Sequence, residues 1–135
     1  MVDCTQGIDH DLFILITATR IARLFDEVPK IRIGVTAHGD YCDAESTYVT
    51  KHHPLSDDRD SLVKFVNGVV ATNGGDAQEC YELVLHEART FNWTHWRSKA
   101  LVLIGDDVPH GPTDRQNTKR LDLRTDGDRG MFRDP

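Results

Sequence analysis

Three short stretches of this sequence carry oxygen donors in loop contexts: "DCTQG" (3–7), "NGGDAQE" (73–79) and "GDDVPHG" (105–111). Asp3 and Thr5 offer a carboxylate and a hydroxyl in the first. Asp76 follows two glycines, which allow close backbone approach. Asp106 ends an apolar run, "KALVLIG" (99–105). Hard oxygen donors of this kind suit Mg²⁺ or Mn²⁺, with water and a carboxylate from a ligand filling the remaining positions. Taken singly, each acid also has an ordinary structural reading. Asp76 reads as a helix N-cap, Asp106 and Asp107 as solvated turn residues, and Asp3 as part of a frayed terminus.

The elements that must position these loops follow from periodicity. "IDHDLFILITATRIARLFDEV" (8–28) keeps apolar residues at helical spacing and stops before Pro29. "KIRIGVTA" (30–37) alternates β-branched residues and reads as a strand, followed by a polar loop, "HGDYCDAES" (38–46). "TYVTKHHPL" (47–55) reads as a second strand, ending near Pro54. "SDDRDSLVKFVNGV" (56–69) opens on a Ser/Asp cap and spaces Leu62, Phe65, Val66 and Val69 helically. A loop over 71–79 leads into a helix over about 76–91. The run 99–105 reads as a strand buried on both faces of a parallel sheet. The pattern predicts an α/β fold with a mainly parallel sheet and helices on both faces. In such sheets ligands bind at the carboxyl ends of the strands, where the three acidic loops would lie.

Composition bounds the function. The chain has 135 residues and a net charge of −6, which suits one domain and disfavours nucleic acid and anionic membrane surfaces as partners. Its 3 cysteines, Cys4, Cys42 and Cys80, fit neither a disulfide framework nor a zinc pattern and read as reduced thiols in the cytoplasm. Acids stand where a signal peptide would be basic, and "LFILIT" is too short to span a bilayer. His52 and His53 adjoin on a strand and point to opposite faces, so they do not chelate together. Asp40 and Asp43 read as solvated loop acids. Cys42 lacks an activating base, and Trp93 and Trp96 read as packing residues.

Taken together, "VDCTQG", "IRIGVTAHGDYCD", "TNGGDAQECYELVLHEARTFNW" and "ALVLIGDDVPHGP" resemble a von Willebrand factor A (vWA) domain. The likeness is greatest to the modules found with α-type protein kinases and bacterial relatives. The resemblance implies a Rossmann-like fold over 1–112, with 113–135 a polar tail or remnant, and a metal-ion-dependent adhesion site. Carried over residue by residue, that site takes Asp3, Thr5, Asp76 and Asp106 as metal ligands. Glu79 is a secondary candidate that approaches the metal, and His110 positions the loop or contacts the ligand. Gly7 stands where the family has a serine, which removes one hydroxyl ligand. Only two residues precede Asp3, and the final strands and helices after Pro112 are missing from the pattern, so the first strand and the C-terminal elements are expected to be short or absent.

The implied function is non-enzymatic protein binding, with Mg²⁺ (or Mn²⁺) bridging to an Asp or Glu of a partner protein and no membrane insertion. Two alternatives differ in class. One is a degenerate vWA-like interaction domain without metal. The other is a Mg²⁺-dependent hydrolase or phosphotransferase with Asp3 as nucleophile. It lacks a Lys or Arg placed to clamp a phosphate, and an acid/base partner beyond His110.

Overall fold

The computed structural model describes residues 2–3, 10–75, 77–105 and 107–117. The helix predicted over 8–28 forms as α1, His10–Glu27. Its Ile14, Ala18 and Ile21, spaced four and three residues apart, are buried, as an amphipathic helix requires. Strand β1 is Val2–Asp3, β2 is Ile33–His38 and β3 is Thr50–Ser56. They form one sheet in the order β1-β2-β3, with β1 parallel and β3 antiparallel to β2. Pro54 lies within β3 rather than ending it, which an edge strand tolerates. A second helix, α2, is Arg59–Asn67, and the Asp58 side chain accepts from Ser61 N at 3.0 Å as its N-cap. The chain is therefore of mixed α/β class.

Alternation along β2 divides its side chains between two faces. Val35 and Ala37 join Ile14, Ala18 and Ile21 of α1 and Leu62 and Val66 of α2 in the larger apolar core. Thr36 and His38 are buried as well, and His38 meets a second layer. That layer holds β4 (Gln78–Glu79), α3 (Tyr81–Ala88) and β5 (Val108–Pro109), with β4 and β5 paired in parallel. Cys80, Leu83 and Val84 form its small core, covered by Tyr41 and Val49. Arg32 ties the two layers together, donating to Leu55 O at 2.8 Å, Thr94 Oγ1 at 2.8 Å and Asn92 O at 3.2 Å.

Four expectations need correction. The run 99–105 is not a buried strand. Ile104 makes a single bridge, and Val102, Leu103 and Ile104 are exposed. An apolar run is buried in a sheet only where strands flank it, and among the described residues this run forms no strand beyond the bridge at Ile104. The helix expected over 76–91 begins at Tyr81, so Cys80, not Asp76, stands at its N-cap. The 38–46 loop contains a 3-10 turn, Tyr41–Glu45, capped by Asp40. Trp93 packs as expected, donating Nε1–H to Ala88 O at 2.8 Å, but Trp96 is 92% exposed. Among the described residues no helix is long and apolar enough to cross a membrane.

Candidate functional site

The carboxyl ends of β1 and β2 lie side by side, because Val2 pairs with Ala37 and Asp3 with His38. Gly39 and Asp40 follow directly and enter the 3-10 turn. Asp40 and Asp43 are both buried there, not solvated. A buried carboxylate is tolerable only with full hydrogen bonding or an opposite charge, and each acid has such partners.

Asp43 accepts from Asp40 N at 2.9 Å, which closes a capping box. The same carboxylate accepts from Asn73 N at 3.2 Å and Gly74 N at 3.3 Å. It thereby holds the start of the second acidic loop. Gly75 then passes so close to the turn that a Cβ there would stand 2.5 Å from Cys42 Sγ. A side chain there would have to displace the Cys42 thiol.

Asp40 accepts from Tyr41 N at 2.6 Å and from the Cys42 thiol at 3.2 Å. Its Oδ1 lies 2.7 Å from Nε2 of His110, with both side chains fully buried. The other ring nitrogen of His110 is 3.4 Å from Asp114 Oδ2. Burial alone would lower the imidazole's pKa. The hydrogen bonds to Asp40 and Asp114, reinforced by the charges of Asp40 and Glu82, outweigh it and raise the value above the usual histidine range. His110 thus ties the third acidic loop to the 3-10 turn, and its partner is 70 residues away in the chain.

The remaining groups complete a polar layer between β2 and α3. Tyr41 donates its hydroxyl to Glu82 Oε1 at 2.7 Å. Burial, followed by that bond and the charge of Glu82, pushes the Tyr41 hydroxyl well up. The Cys80 thiol donates to Gly39 O at 2.9 Å and is pushed well up by burial and by the nearby charges of Glu82, Glu79 and Asp40. It is held as a thiol, which is no nucleophile. Gly105 packs against the Tyr81 hydroxyl, which also accepts from Asp107 N at 3.3 Å. The Tyr81 ring meets the His38 ring edge-on at 5.1 Å.

His38 itself is fully buried, and neither ring nitrogen makes a hydrogen bond among the described residues. The nearest acid oxygen is Glu79 Oε2, 3.9 Å from Nδ1. Burial lowers the His38 pKa from 6.5 to about 4. Its effect on stability has a definite sign. Between pH 6.5 and about 4 the unfolded chain takes up a proton that the folded chain refuses. Stability is therefore full above the unfolded value and falls toward acid, at up to about 1.4 kcal/mol per pH unit. His110 has the opposite sign, with stability present in acid and lost as pH rises through its raised value. We expect His38→Phe to flatten the acid limb of a urea-unfolding series from pH 7 to 4. An unchanged acid limb would show that His38 is not the proton acceptor.

Of the predicted metal ligands, the backbone of Asp3 lies in β1 beside His38. The Asp3 side chain and all of Thr5, Gly7, Asp76 and Asp106 lie outside the described residues. The chain neighbours of Asp76 and Asp106 are described. Gly75 rests on Cys42, and Gly105 and Asp107 rest on Tyr81. Glu79 is buried, its carboxylate turned toward His38 and its carbonyl accepting from His110 N at 3.2 Å. Among the described residues no group of three or more His, Cys, Asp or Glu side chains is placed to hold a metal ion. The pair His52 and His53 is split, one ring against Phe91 at 5.7 Å and the other against Phe65 at 5.6 Å. Sequence reasoning passed over Asp40 and Asp43. Their signal was faint: two acids three residues apart after a glycine, as a capping box requires. Compared with protein-family models and with curated proteins, the chain matches none.

Proposed function

We propose that this chain is a vWA-like, non-enzymatic binding module that uses a divalent cation, Mg²⁺ or Mn²⁺, to capture an Asp or Glu carboxylate of a partner protein. Asp3, Thr5, Asp76 and Asp106 would supply its oxygen donors, a set whose hardness suits these ions. One observation carries the reading. The end of β1 and the flanks of both later acidic loops meet at the carboxyl ends of β1 and β2, through His38, the 3-10 turn and Tyr81. An under-coordinated cation there would attract an incoming acid strongly, and the surrounding loops would select among acids.

The experiment is calorimetric titration of the folded chain with Mg²⁺ and Mn²⁺. Wild type is expected to bind, and Asp106→Ala to bind at least about tenfold more weakly, the loss of one charged donor being worth 1.4 kcal/mol or more. A well-folded wild type that binds neither ion overturns the proposal.

A second reading, a metal-free interaction domain, has its own support. Asp40 and Asp43 are satisfied by His110 and by backbone N–H groups, so these two loop anchors stand without a cation. On that reading the melting temperature is indifferent to Mg²⁺. A cation bound only by the native state at a hundred times its Kd would instead add about 2.7 kcal/mol.

A further inference from the structure

We propose that Asp40 and Asp43 are positioning residues with divided duties: Asp43 sets the Asn73–Gly74 turn, and Asp40, acting through His110, sets the 105–111 loop. The metal consequence of this division rests on the proposed function, whereas the division itself stands on the contacts alone. The two acids are three residues apart on one rigid 3-10 turn, linked by the bond from Asp40 N to Asp43. Their outward hydrogen bonds go to different loops, although Gly75 also packs on Cys42, whose thiol donates to Asp40. Asp43 takes the N–H groups of Asn73 and Gly74. Asp40 takes the imidazole of His110.

The two grips differ in kind. The N–H bonds to Asp43 are 3.2 and 3.3 Å long and come from backbone that is only partly buried. The His110 contact is charge-assisted and buried on both sides. The anchored points lie close in sequence to the predicted ligands. Gly74 is two residues before Asp76, and His110 is four after Asp106. A turn that holds both loops can therefore set the spacing of two donors without contributing a donor. A misplacement of about 1 Å is enough to weaken a metal site.

The test is amide hydrogen exchange on the full chain, read residue by residue by NMR without metal. Asp107, His110 and Asp114 report on one loop, since their N–H groups bond to Tyr81, Glu79 and Gly111. Asn73 and Gly74 report on the other. His110→Gln is expected to speed exchange at the first set at least about tenfold, with less than twofold change at the second. Asp43→Asn should do the reverse. Asp40→Asn keeps an oxygen acceptor for His110 and for Tyr41 N, and should hold the first set within about threefold of wild type.

Acceleration of both sets together, or of neither, overturns the proposal. Should the Asp43 variant not fold, His110→Gln decides alone, because His110 takes no part in the capping box. A parallel Mn²⁺ titration separates the two ideas. If wild type binds Mn²⁺ and His110→Gln binds at least fivefold more weakly, the positioning reaches the cation. If the variant binds equally well, that part is overturned. If wild type binds no Mn²⁺, the proposed function falls and the exchange pattern still decides the division of duties.

Discussion

His110→Ala is expected to lower the free energy of unfolding by about 3–5 kcal/mol at pH 6. The reason is what it leaves behind. Asp40 is fully buried, and His110 is its cationic partner at 2.7 Å. Removing one member of a buried pair strands the other charge in a medium that solvates it poorly, and that cost exceeds the net worth of the pair. The asymmetry supplies the control. His110→Gln with Asp40→Asn removes both charges while keeping an amide–amide hydrogen bond and the acceptor for Tyr41 N. The double variant should recover more than half of the loss. Urea unfolding of wild type, His110→Gln, Asp40→Asn and the double variant measures the coupling directly. Additive losses in the cycle would mean that the pair is not coupled, and a double variant no more stable than His110→Ala would refute the stranded-charge account.

Leu62→Ala is the second large effect, expected to cost about 2–5 kcal/mol. Leu62 is 0% exposed and sits in α2 where that helix meets α1 and β2. Truncation removes buried methyl groups and leaves a cavity that three packed elements cannot close together. Leu15 on α1 is the contrast, since it is 61% exposed. Leu15→Ala should change stability by less than about 0.5 kcal/mol, within the range of ordinary surface substitutions. Equal losses at the two positions would mean that the α1–α2 core is not where the structure has it. The same residues explain why α1 is uninformative about function. Its buried stripe is occupied in supporting β2, while Leu15, Thr19 and Ala22 line a groove toward α2.

Local pattern and tertiary consequence separate cleanly in this chain. The helical spacing of Leu12, Ile16, Ile21 and Phe25 with Leu15, Ala18 and Ala22 was enough to predict α1, but not its buried face, which is Ile14, Ala18 and Ile21 while Leu15 and Ile16 are exposed. The Asp58 cap with the spacing of Leu62 and Val66 predicted α2, and β-branched alternation predicted β2. These are short-range signals, because helix and strand periods act within a few residues. Loop chemistry was legible only as composition. "HGDYCDAES" reads as polar, and a polar loop is expected to be wet. Two of its acids are instead buried, since one finds a histidine 70 residues later and the other finds two backbone N–H groups 30 and 31 residues later.

The run Ala100–Gly105 marks the opposite failure. Its apolar character is a property of the sequence, but burial is a property of its neighbours, and among the described residues neither sheet includes it. What the sequence by itself determined was therefore the set of elements with a strong internal period and the presence of three acidic loops. Only the tertiary structure decided which polar groups are buried, which histidine meets which acid, and which apolar residues stay in water. Hydrophobic periodicity is written locally, whereas desolvation and charge pairing depend on partners the chain brings in from far away.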